Sequence, residues 1–377
     1  MMSRFCLCAL MLALAAGPAL AAPDGPAAPG MPAPGGATPG VAAPDLVAGA
    51  KSVFLPYLNA PLAGSPLRHS PKLGLSVNGG RPIRAVMDTG SLGIVVSARL
   101  IPEFDTLEVL KPGELTYTSS GRIMKGVWVK ARVTLSGTNG AEVTTRPIPV
   151  LAVTHVECTR TARRCRPRAN PTGIAMIGVG FARGGEVEKL GLADRNAFLS
   201  LPGMGTADAP ATVRRGYLVT RRGVYLGLSA EGAKGMDFIK LEKAQGRSGW
   251  APTPVCLSLG GRTPAACGTA LVDTGVTTMY LTLPPAQLTG QTQPNPAGVP
   301  TPTSGTALRI AFGPGGSGPS YAFRAGDQTN PSAPHAIILV NRPGTVFVNT
   351  SVRLLNRFDY LYDADGGFVG FRPVASP

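Results

Sequence analysis

The fold turns on a short stretch, Ala85-Val86-Met87-Asp88-Thr89-Gly90-Ser91, and on its echo far down the chain, Ala270-Leu271-Val272-Asp273-Thr274-Gly275-Val276. In each, an acidic residue follows an apolar run and precedes Thr and Gly. A carboxylate at the end of a buried strand costs free energy unless it is hydrogen-bonded or functional. One Asp-Thr-Gly is weak evidence, because Asp and Gly favour turns anyway. Two copies, each behind an apolar run, point to a repeated device with one carboxylate per repeat.

The residues around the first copy read as β-structure. Lys72 to Val77 and Ile83 to Asp88 flank Asn78-Gly79, a strong hairpin signal. Leu92-Gly-Ile-Val-Val-Ser97 follows as another apolar run, so Asp88 is expected in a sharp loop between two buried strands. Alternation recurs in Val127-Trp-Val-Lys-Ala-Arg-Val-Thr-Leu135. Gly (49) and Pro (37) are abundant and charged residues are only 15%, which favours many turns over long helices. The expected class is mainly β. With 377 residues the chain is long enough for two sizeable cores. Residues 284 to 335, rich in Pro, Gly, Thr and Ser, read as long surface loops around short strands.

Met1 to Arg4 is a short basic start, Phe5 to Ala16 is apolar, and Ala19-Leu20-Ala21 is a small-residue cleavage site. Residues 1–21 therefore read as a secretory signal cleaved near Ala21/Ala22, giving a secreted or periplasmic protein. Residues 22–50 read as a disordered Pro/Ala/Gly-rich linker. Beyond Cys6 and Cys8 of the signal, four cysteines remain: Cys158, Cys165, Cys256 and Cys267. An even number outside the cytosol suggests two disulfides. Nearness pairs Cys158 with Cys165 and Cys256 with Cys267, one of three connectivities. No spacing resembles a zinc site, and His69, His155 and His335 are scattered, so no metal is expected. The formal net charge is +15, yet no nucleic-acid motif is present. Arg160, Arg163, Arg164, Arg166 and Arg168 read first as a solvated loop. An anionic envelope surface is the contact that such basic residues would favour.

The order strand, turn, strand, Asp-Thr-Gly-Ser, apolar strand resembles the first lobe of a pepsin-like aspartic protease. Leu115 to Gly121, with Tyr117 and Ser119, continuing to Lys125-Gly126, is similar to that family's flap hairpin. Gly173 to Gly180 is similar to the segment closing the first active-site loop. Cys256 to Cys267 looks like a clipped hairpin leading into Asp273. The segments Val346 to Leu355, Phe358 to Asp363 and Phe368 to Phe371 look like the last strands. The resemblance covers most of the chain after about residue 70. It implies a bilobal fold, two six-stranded-type β-barrel lobes around a central cleft. Residues 51–200 would form the N-terminal lobe with Asp88 and 201–377 the C-terminal lobe with Asp273, the two meeting near residues 195 to 220.

The resemblance also implies an aspartic-type endopeptidase, a monomer acting without a cofactor on a polypeptide substrate. Asp88 and Asp273 would be the catalytic pair, supported by Thr89, Gly90, Ser91, Thr274 and Gly275. Tyr117, Ser119 and Gly121 would belong to the flap that meets substrate. Three positions depart from the pattern. Val276 lacks the hydroxyl that Ser91 keeps, so Asp273 is expected to lose a hydrogen bond and to hold a proton more tightly. Val95 stands where a Trp usually supports the flap Tyr. Asn349 stands in place of an expected Gly. If these weaken catalysis, the alternative is a pepsin-fold binding module holding a protein or glycan in the cleft. A Ser-His-Asp hydrolase fits poorly, since no nucleophile-elbow context precedes any His.

Overall fold

The computed structural model describes residues 43–46, 50–117, 120–160, 162, 165–182, 195–204, 213–245 and 249–375. The expected signal segment, most of the expected linker, Ser119, Arg163 and Arg164 lie outside them. Among the described residues the one α-helix is the four-residue Pro285–Leu288, and strands dominate.

Local chemistry builds the first half. Asn78 and Gly79 both take positive φ, 50° and 73°, and Gly80 N–H donates to Val77 O. That turn folds Lys72–Val77 back antiparallel on Ile83–Asp88, with Leu75 opposite Ile83. The second strand ends on Asp88, and Leu92–Ser97 leads away from it. Between these two lies Ala175–Val179. It runs parallel to Ile83–Asp88, with Gly178 opposite Asp88, and antiparallel to Leu92–Ser97.

The second half repeats the plan. Ala266–Leu271 leads toward Asp273 and Thr278–Thr282 leads away. Phe347–Asn349 lies between them, parallel to the first with Asn349 opposite Leu271, and antiparallel to the second with Asn349 opposite Tyr280. The two units sit in a ten-stranded and a seven-stranded sheet. A third, six-stranded sheet runs in the order Val53–Pro56, Gly223–Leu228, Arg214–Val219, Phe358–Asp363, Phe368–Pro373, Asp237–Lys240. It joins the early, middle and late parts of the chain. The result is a mainly β, bilobal molecule of half-barrel sheets. One continuous apolar core runs through it and includes Leu75, Met87, Ile94, Phe198, Tyr217, Leu257, Met279, Phe312 and Phe371. Burying each such side chain contributes about 1.5–3 kcal/mol.

Residues 284 to 335 are more regular than expected. Ala307–Phe312 and Ser320–Arg324 form an edge hairpin of the seven-stranded sheet. Leu308, Ile310 and Phe312 are buried on one face, while on the other Arg309 is exposed and the small Ala311 is covered. Flanking Gly and Pro hide this short run in the sequence. Thr292–Pro294 and Pro300–Pro302 form a separate short pair. Cys158 bonds Cys165, and Cys256 bonds Cys267. The latter two face each other on antiparallel strands, the second of which runs into the second carboxylate loop. Two such bridges point to an oxidising compartment.

Candidate active site

Both Asp-Thr-Gly loops arrive at one place. Asp88 and Asp273 are buried, 6% and 7% exposed, and each carboxyl lies against the loop of the other. The approach is close enough to exclude side chains nearby. A methyl group on Gly90 would collide with the Asp273 carboxyl, and one on Gly275 with the Asp88 carboxyl.

The threonines lock the loops together across a sequence separation of 185. Thr89 Oγ1 donates to Val272 O at 2.6 Å, and Thr274 Oγ1 donates to Met87 O at 2.8 Å. Each hydroxyl also accepts the other residue's backbone N–H at 3.1 Å. Thr89 and Thr274 are buried, so these bonds are shielded from water. The grip is two-fold in pattern, as the repeated topology dictates.

Each carboxyl takes a backbone N–H from its own loop. Gly90 N donates to Asp88 Oδ1 at 2.7 Å and Gly275 N to Asp273 Oδ1 at 2.8 Å. The outer oxygens are served differently. Ser91 Oγ donates to Asp88 Oδ2 at 2.7 Å. Asp273 Oδ2 receives instead the side-chain amide of Asn349, whose Nδ2 donates to it. The expected loss of a hydrogen bond at Asp273 is therefore corrected. Val276 brings no hydroxyl, but the strand Phe347–Asn349 delivers a donor from the other side. Asn349 is a departure that adds a bond where a weakening is expected. The sequence does carry a signal for it. A polar residue ending the apolar run Val346-Phe347-Val348 follows the same logic that singles out the two Asp.

Burial and the charge of Asp88 push the Asp273 carboxyl up to about 8, while the bonds from Asn349 and Gly275 pull the other way. A buried carboxyl beside another carboxylate holds its proton far above the ordinary carboxylate range. Such a pair can accept a proton at one oxygen and donate one at another.

Tyr117 ends the strand Val109–Tyr117, which turns back into Arg122–Ala131. It packs on a second apolar cluster containing Leu92, Val95, Leu115, Met124 and Trp128. Leu92 directly follows Ser91, so the hairpin and the first carboxylate loop share this support. Trp128, from the hairpin's second strand, is the indole of this cluster. The Arg195 guanidinium stacks on its face, 4.8 Å from the ring centroid. Gly121 lies in the turn at φ 68°, and a Cβ there would strike Ala162 of the Cys158–Cys165 loop. Thr159 N–H donates to Gly121 O. Among the described residues no group of three or more His, Cys, Asp or Glu could hold a metal.

With two half-barrels and a symmetric threonine grip around a buried carboxyl pair, this chain has the fold of the pepsin-like aspartic proteinases. It is similar to the crystal structure of the aspartic proteinase from Irpex lacteus, with a TM-score of 0.51 and 13% identity over 86% of this chain and 98% of that one. No protein-family model matches the chain, and no curated protein does. At that identity the likeness is one of fold.

Proposed function

We propose that the chain is a pepsin-like aspartic endopeptidase, acting as a monomer on extended polypeptide in an oxidising compartment outside the cytoplasm. The observation that carries this reading is the buried Asp88–Asp273 pair inside the Thr89–Thr274 grip. A merely structural pair of carboxylates would not be buried side by side, since repulsion and desolvation both oppose it.

In this reading a water molecule sits against both carboxyls. The ionised carboxyl takes a proton from it, and its oxygen attacks the peptide carbonyl carbon. The protonated carboxyl gives its proton to the carbonyl oxygen. The resulting diol collapses as the C–N bond breaks: the amine leaves with a proton from one carboxyl, and a diol hydroxyl gives its proton to the other, which restores the singly protonated pair. The threonine grip and Gly90 and Gly275 keep the pair from relaxing, which matters because misplacement by about 1 Å can cost on the order of a hundredfold. One positioned acid–base group contributes about 10²–10⁴-fold to such a reaction.

The test is cleavage of unfolded polypeptide across about pH 3 to 7, the range in which such pairs work. The expected outcome is cleavage that falls at least about 10³-fold in both Asp88→Asn and Asp273→Asn, and inhibition by a hydroxyl-bearing transition-state analogue. If the folded protein cuts nothing at any pH yet retains peptide in its cleft, the binding-module reading replaces this one.

A further inference from the structure

The two carboxyls are held alike at their inner oxygens and unlike at their outer ones. We propose that Asn349 is the positioning residue of the Asp273 carboxyl, its side-chain amide standing in for the hydroxyl that Val276 lacks. The inference rests on the reading of Asp88 and Asp273 as the reacting pair.

Three observations carry it. Asn349 is buried, at the end of a strand paired to both strands of the second carboxylate loop. Its orientation is set independently of Asp273, because Ser351 N–H donates to Asn349 Oδ1 at 3.1 Å. Turning the amide over would leave Oδ1 against a carboxyl oxygen and Nδ2 against an N–H, losing both bonds. The position three residues after Asp273 is Val, whereas the matching position after Asp88 is Ser91, which does bond its carboxyl. One donor is missing and one is added, at the same oxygen.

An amide is not equivalent to a hydroxyl. Ser91 Oγ can donate to an ionised oxygen or rotate and accept from a protonated one. Asn349 Nδ2 can only donate. Protonation of Asp273 Oδ2 is therefore disfavoured while the bond is made, whereas Ser91 can adapt to either state of Asp88. The substitution makes a two-fold device directional. Among the described residues two titratable groups face Asp273, namely Asp88 at the end of Ile83–Asp88 and Tyr280 on Thr278–Thr282. Tyr280 stays neutral while the pair titrates, its hydroxyl raised by burial and then by the Asp273 charge.

The experiment follows the carboxyl carbons of aspartate-labelled protein by NMR through a pH titration, beside the pH profile of peptide cleavage. Asn349→Leu keeps much of the volume and removes the donor. It should move the pair's upper midpoint to higher pH by about one unit. Adding Val276→Thr to that variant should return the midpoint by about the same amount. In the wild-type background Val276→Thr should shift it by less than about half as much, because the oxygen is already served. The proposal is overturned if Asn349→Leu leaves the midpoint in place, or if Val276→Thr shifts both backgrounds equally. Should Asn349→Leu not fold, a full-unit shift from Val276→Thr alone overturns it as well. The NMR arm needs no catalysis. Carboxyls that titrate as expected in a protein that cuts no peptide would sink the hydrolase reading and leave the role of Asn349 standing.

Discussion

At the scale of single residues, the carboxyl pair is a stability liability with a definite sign. The Asp273 carboxyl, raised to about 8, binds its proton more tightly folded than unfolded. Its favourable contribution is complete below the unfolded value near pH 4 and is lost as pH rises through about 8. Asp273→Asn removes that dependence. Chemical denaturation should therefore find the variant more stable than the wild type at pH 8, by on the order of a few kcal/mol, with the difference fading near pH 4. Equal differences at both pH values would mean that the two carboxyls do not share a proton. Asp88, Thr89, Asp273 and Thr274 are legible in the sequence because a short polar motif behind an apolar run is a local signal. Asn349 and Trp128 are not legible as partners. Their roles depend on which strand lies beside which, and strand neighbours are set by pairing between distant segments.

At the scale of elements, the hairpin bearing Tyr117 is anchored along its length. Arg122–Ala131 pairs with Ile148–Cys158 from Arg122 opposite Cys158 to Ala131 opposite Ile148. Lys125 bridges Glu157 at 2.7 Å across that pairing, although exposed ion pairs add little. The Cys158–Cys165 loop then closes on the turn through Thr159 and Gly121. Replacing both Cys158 and Cys165 with Ser should cost about 2 kcal/mol of global stability. It should also speed amide exchange at Gly121 and Arg122 more than at Val150 or Leu151 in the middle of the same sheet. Uniform acceleration would show that the loop braces the whole sheet and not the turn. The strands on either side of each carboxylate loop are readable from apolar runs and the Asn78-Gly79 turn. The edge hairpin Ala307–Phe312 and Ser320–Arg324 is not, since such short runs among Gly and Pro carry too little periodicity.

At the scale of the whole molecule, the six-stranded sheet unites residues that the sequence keeps far apart. Val53 lies opposite Leu226, and Gly216 lies opposite Asp363. Asp363 is fully buried and accepts Arg214 Nε at 3.0 Å and Nη2 at 2.8 Å, as well as the backbone N–H groups of Asp365 and Gly366. Removing one partner of such a network leaves uncompensated polar groups. Asp363→Ala should lower stability by about 3–5 kcal/mol in urea unfolding. A loss below about 1 kcal/mol would mean that the sheet is held by its apolar faces alone.

The same long-distance pairing governs timing. A chain made only as far as the first half carries Asp88 without Asp273, Thr89 without Thr274, and Val53 to Pro56 without a neighbouring strand. Nothing it has folded can yet bring two carboxyls together. Pairings this remote in sequence form late and slowly. The paired centre thus comes into being only after Asp273 and the strand Phe347–Asn349 that holds it have been synthesised, and a polypeptide still emerging from the ribosome holds half of it.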